Sequence, residues 1–90
     1  MSPVVKARFH RVLVDAVTKY DRRQSKRPGF NPYALPQYFA AIAQVETMIY
    51  QNFTVRESLQ HAFCGRLLVV LQRAADKAGF AEHDCERDCK

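Results

Sequence analysis

Apolar side chains at Val5, Phe9, Val12, Leu13, Ala16, Val17 and Tyr20 recur at steps of three and four residues. That spacing draws them onto one side of an α-helix. Arg8, Arg11, Asp15 and Lys19 fall on the opposite arc, a division that an amphipathic surface helix produces. Asp15 stands four residues from both Arg11 and Lys19 and partly neutralises the polar face. Ser2 can cap this helix, and Pro3 takes its first position, where a missing N–H costs nothing. The predicted helix covers about residues 3–20.

The next segment, DRRQSKRPG (Asp21–Gly29), has no apolar residue and ends in a Pro-Gly turn signal, so it reads as a linker. Asn31 then caps a new turn, with Pro32 in its first position. Pro36 would clash with the carbonyl of Pro32 in a regular helix. A short turn over Pro32–Leu35, followed by a helix starting at Pro36, resolves this. That second helix is predicted over 36–51, with Phe39, Ile42, Ala43, Val45, Ile49 and Tyr50 in its apolar stripe and Glu46 at the edge.

TVRE (Thr54–Glu57) is a capping box. It opens a third helix, predicted over 54–78, that ends at Gly79 with Phe80 folding back. Leu59, Ala62, Phe63, Leu67, Val70, Leu71 and Ala74 mark its core face. Leu68 and Val69 add apolar surface on the other side, as in a central helix or a dimer seam. Gly65 inside the helix is expected to mark a close backbone approach. Gly65, Leu68 and Val69 are therefore the candidates for self-association. The expected fold is all-α: a three-helix domain over residues 1–80, with a short turn before helix 2 and a polar, cysteine-containing tail over 81–90.

Ninety residues make one small domain that buries only about 60–65% of its unfolded surface. Three glycines and four prolines favour a few long elements, and a 48% apolar content supplies one core. The longest apolar run, LLVVL at Leu67–Leu71, falls far short of the roughly 18–20 residues a membrane span needs. Lys6, Arg8 and Arg11 interrupt any signal-peptide core, so a cytoplasmic location with reduced cysteines is expected.

The net charge of +5 is uneven. Residues 1–28 hold eight Lys/Arg against two Asp (+6), residues 29–80 four against three (+1), and residues 81–90 two against four (−2). Arg8, Arg11, Lys19, Arg22, Arg23, Lys26 and Arg27 form a candidate basic surface for an anionic partner. The bland alternative is a solvated helix face. Five positive residues within Lys19–Arg27 could also neutralise phosphates, and Thr54, Arg56 and Gln60 at the start of helix 3 could face bases. An apolar middle of helix 3 argues against the second idea.

No catalytic constellation is expected. His83, Cys85 and Cys89 form H-x-C-x3-C, one cluster where a structural zinc site uses two pairs, so no metal is assigned. Cys64 is expected to be buried and structural, with His61 pointing elsewhere, and His10 has no obvious partner. Glu46 is a single carboxylate, and no phosphate loop or Ser-His-Asp set is present. The chain reads as a non-enzyme without cofactor.

NPYALPQYFAAIAQVE and TVRESLQHAFCGRLLVVLQRA together resemble a recurrent pattern in small, mostly uncharacterised bacteriophage proteins. The matching positions are Asn31, Tyr33, Ala34, Leu35, Tyr38, Arg56, Phe63, Gly65, Arg66 and Leu67. The likeness covers about residues 27–78. Pro36 departs from the small residue expected there, and helix 1 and the tail lie outside it. The resemblance implies a phage or prophage accessory protein in a bacterial cytoplasm, and by analogy one that binds a host protein. DNA binding through the basic N-terminal third is the alternative.

Overall fold

The structure is a computed structural model and describes residues 2–80. All regular structure among these residues is helical: α1 (Pro3–Gln24), α2 (Ala34–Tyr50), α3 (Val55–Ala62) and α4 (Gly65–Lys77). Local signals set three of the helix ends: the starts of α1 and α3 and the end of α4. Ser2 caps α1, its hydroxyl accepting from the Val5 N–H at 3.2 Å. The Thr54 hydroxyl accepts from the Glu57 N–H at 3.0 Å, and the Glu57 carboxylate accepts from the Thr54 N–H at 2.9 Å. At the far end Gly79 takes φ 89°, and the Phe80 N–H reaches back to the Ala75 carbonyl at 2.7 Å. That is the Schellman closure that a terminal Gly-Phe favours.

Three expectations about the helices are corrected. First, α1 runs one turn past Tyr20, so Asp21–Gln24 is helix and only Ser25–Gly29 is linker. Arg and Gln are good helix formers, and Arg22 and Arg23 suit the negative end of the helix dipole. The extra turn brings Tyr20 edge-on to Tyr38 of α2 at 6.4 Å. Burial, with Tyr20 and Asp21 nearby, pushes the Tyr38 phenol up from its ordinary value.

Second, α2 begins at Ala34, two residues before Pro36. The turn ahead of it holds as expected: the Asn31 side chain accepts from the Tyr33 N–H at 3.0 Å. Pro36 then falls in the first helical turn, where N–H groups have no intrahelical acceptor. The carbonyl it would strike belongs to Pro32, outside the helix.

Third, the single helix expected over 54–78 is two, which makes four helices rather than three. Phe63 and Cys64 are both extended, and Gly65 follows at φ 65°. A side chain added at Gly65 would meet nothing within 4 Å. The glycine therefore serves a left-handed backbone turn, and close approach by another segment is not its role. Gly65→Ala should cost about 1–2 kcal/mol from backbone strain alone, since there is room for the methyl. A urea melt reads this directly, and an unchanged midpoint would show that the positive φ is not needed.

Because the Glu57 carboxylate accepts first from the Thr54 backbone and then interacts with its hydroxyl, its carboxyl is held below the ordinary carboxylate value. The folded state thus favours the ionised form. The contribution is full above the unfolded pKa and is lost as pH falls through the folded one. Melting temperature followed through acid pH should drop further for the native chain than for Glu57→Gln. Parallel curves would show that the box adds no pH-dependent stability.

The helices form a ring. α1 packs against α2 and α4, and α3 packs against α2 and α4, with no close backbone approach across either diagonal. Phe9, Leu13 and Val17 of α1, Ile42 and Val45 of α2, Leu59 of α3, and Leu67 and Leu71 of α4 meet in one core. Ser58 is fully buried, and its hydroxyl donates to the Thr54 carbonyl at 2.8 Å, so its polar atom is satisfied. Phe39 and Tyr50, expected in the apolar stripe of α2, are exposed at 41% and 83%. Only Ile42 and Val45 of α2 are fully enclosed, because α1 and α3 cover a narrower arc than the apolar residues span. No helix among the described residues is long and apolar enough to cross a membrane.

Candidate functional site: a basic groove between α1 and α4

The groups with catalytic potential are scattered. His10 is not alone, contrary to expectation: its Nδ1 lies 2.5 Å from the Glu46 carboxylate, tying α1 to α2. Cys64 is exposed rather than buried, because the extended break at Phe63–Cys64 turns it outward while Phe63 enters the core. Among the described residues no three His, Cys, Asp or Glu side chains gather closely enough to hold a metal ion. His83, Cys85 and Cys89 lie outside the described residues.

The seven basic candidates do not form one surface. The Arg8 guanidinium donates to the Ala78 carbonyl at 2.8 Å and lies 4.8 Å from the Phe80 ring centre, so it secures the end of α4. Arg11 sits on the side of α1 that faces Glu46 and α2. Lys19 pairs with Asp15 at 3.0 Å, one turn back on the same helix. Arg22 and Lys26 are exposed. Arg23 and Arg27 line a groove between the end of α1 and α4, where they share its walls with Arg66 and Arg73.

Arg66 and Arg73 were missed by the sequence reading. Their signal was the spacing of seven residues, two helical turns, which puts them on one face of α4. What the sequence withheld is that this face borders the last turn of α1. None of the four arginines makes an ion pair among the described residues. Four guanidiniums lining one groove make a strongly positive surface, which is tolerated because it is open to water.

The groove continues along the helix pair. A stretch of about 370 Å³ over Val12, Ala16 and Ala74 joins the arginine-lined stretch of about 630 Å³, and both share Tyr20, Arg23 and Val70. Its floor is apolar and its rims are basic, with Lys19 on α1 and Lys77 on α4 extending them. Asp15 is the one carboxylate among the lining residues, and Lys19 already holds it. Two of the three self-association candidates belong here: Gly65 and Val69 line the arginine-rich end, with Val69 43% exposed. Leu68 instead packs against the chain's own core. The arrangement offers anion binding beside apolar contact, with no nucleophile or acid–base pair along it.

Comparison with known proteins finds no matching family, no matching curated protein and no matching solved structure.

Proposed function

We propose that the chain is a binding module that acts without catalysis, by engaging a bacterial host protein in the manner of a small phage-type accessory protein. The observation that carries this is the α1–α4 groove, in which an apolar floor lies between basic rims. The phage origin rests on the resemblance over residues 27–78. Arg, with an aromatic such as Tyr20 close by, is the residue type enriched where protein interfaces concentrate their energy. Unpaired rim charges steer an acidic partner and accelerate encounter.

The second reading is nucleic acid. It is favoured by one specific observation: Arg66 and Arg73 are exposed on α4 beside Arg23 and Arg27, so the outer face of that helix is more basic than its apolar sequence suggests. Phosphate contacts alone would support salt-sensitive, sequence-independent binding. They would leave the floor of Val12, Ala16, Val70 and Ala74 without a use, since single strands are held by stacking on successive aromatic faces and the lining supplies one, Tyr20.

The test is affinity capture from bacterial lysate with the intact chain, followed by reconstitution with the purified captured protein. A saturable complex is expected, and its association should slow when Arg23, Arg27, Arg66 and Arg73 are all replaced by Ala. In parallel, random duplex DNA should show no retardation at physiological salt and low-micromolar protein. Retardation there, with no reconstituted protein complex, would replace this reading with the nucleic-acid one.

A further inference from the structure

The occupant of the groove can be argued from its shape and charge. Its walls are two packed helices, and its floor carries small residues, Ala16 and Ala74, beside Val70. Small side chains let a third helix approach two others at the usual interaxial distance of about 8–10 Å. At about 1.5 Å per residue, α4 presents roughly 20 Å of wall, enough for three to four turns of such a helix. An extended peptide could also line up alternate apolar side chains, but its backbone N–H and C=O groups would find no strand edge to pair with, because both walls are helices.

Charge narrows the choice further. Arg23 lies in the last turn of α1 and Arg27 in the linker just past it, on one wall, and Arg66 and Arg73 are two turns apart on the other. An incoming helix must therefore carry carboxylates on both flanks of its apolar ridge, those facing α4 two turns apart. The described helices of a second copy of this chain do not supply them. The described carboxylates, Asp15, Asp21, Glu46, Glu57 and Asp76, are spread over four helices, and no helix has acidic flanks on both sides of an apolar ridge.

We infer that the α1–α4 groove receives an acidic amphipathic helix of the partner protein, its apolar ridge on Val70 and Ala74 and its flanking carboxylates on Arg23, Arg27, Arg66 and Arg73. This rests on the protein-binding reading and specifies the recognised element. The ridge supplies apolar burial, and the carboxylates meet guanidiniums that can bind them bidentately.

Fluorescence anisotropy with the full chain at physiological salt tests it. The first probe is a labelled amphipathic peptide of about 18 residues, with Leu along one face and Glu on both flanks. The second probe contains the same residues in scrambled order, and the third is a random DNA duplex of about 20 base pairs. The amphipathic peptide should bind saturably and roughly tenfold or more tighter than either control. Arg66→Glu combined with Arg73→Glu should weaken it by about tenfold or more, and a Lys-flanked version of the peptide should recover binding to that variant. Both arginines are exposed, so circular dichroism should match the native chain. Val70→Asp should also weaken binding, but because Val70 is half-buried the arginine variant and its rescue decide the matter. Equal affinity for the scrambled peptide would reduce the groove to a charge effect and overturn the inference. So would tighter binding of the duplex, or no peptide binding at all. If the peptide fails while the captured host protein still binds and is insensitive to the arginine variant, the groove assignment falls and the protein-binding function stands.

Discussion

Phe9→Ala should destabilise the chain by about 3–5 kcal/mol, the range for deleting a buried aromatic ring. Phe9 is 1% exposed and projects from α1 into the junction with the end of α4. Its ring meets Phe80 edge-on, centres 5.1 Å apart and planes at 78°. Phe80 reaches that position only because Gly79 turns the backbone, and Arg8 covers its ring. Removing Phe9 therefore opens a cavity and also frees the residue that closes α4. Domains of ordinary stability hold only about 5–15 kcal/mol in total, so a large fraction is at stake. Urea denaturation followed at 222 nm should show the midpoint collapse. The Phe9→Ala/Phe80→Ala double variant should lose less than the sum of the singles, by the roughly 0.5–1.5 kcal/mol that such ring pairs contribute beyond area. A loss under about 1 kcal/mol for Phe9→Ala would place the core elsewhere.

Leu71→Ala should cost about 2–5 kcal/mol, whereas Val69→Ala, two residues away in the same apolar run, should stay within about 0.5 kcal/mol. Leu71 is fully enclosed among the four helices, while Val69 stands 43% exposed on the groove rim. The pair tests the register of α4 set by the break at Phe63–Cys64. Comparable losses at the two sites would mean that α4 is rotated from the position described. Denaturant midpoints at constant slope read both values.

The run LLVVL illustrates what was legible. Its five residues are uniformly apolar, so periodicity marks a helix without saying which side is in. Burial of Leu67 and Leu71, partial burial of Leu68 and Val70, and exposure of Val69 follow from where α1 and α3 lie. The same limit explains α2, where Phe39 and Tyr50 fit the helical stripe and nevertheless face outward. Hydrophobicity reports what a side chain would gain from burial. It does not report whether a neighbour arrives to bury it.

The groove was half legible. Arg23 and Arg27 stood out because they sit in a dense basic run, and density within a segment is a one-dimensional property. Arg66 and Arg73 are separated by six residues, five of them apolar, and pass for ordinary surface charges. Only the packing of α1 on α4 puts the two pairs on facing walls. It also assigns Arg8 to the end of α4, where its place in the basic first helix had put it on the candidate surface.

By itself the sequence determined that the chain is helical, where its capped ends fall and that its first third is basic. The Ser2, Thr54–Glu57 and Gly79–Phe80 signals work through hydrogen bonds between residues three to five apart, so their partners are already in the local string. Tertiary structure alone decided the break at Phe63–Gly65, the inward faces of α2 and α4, and the meeting of four arginines across a groove. Each of those depends on contacts between segments tens of residues apart, and such contacts exist only once the helices have packed.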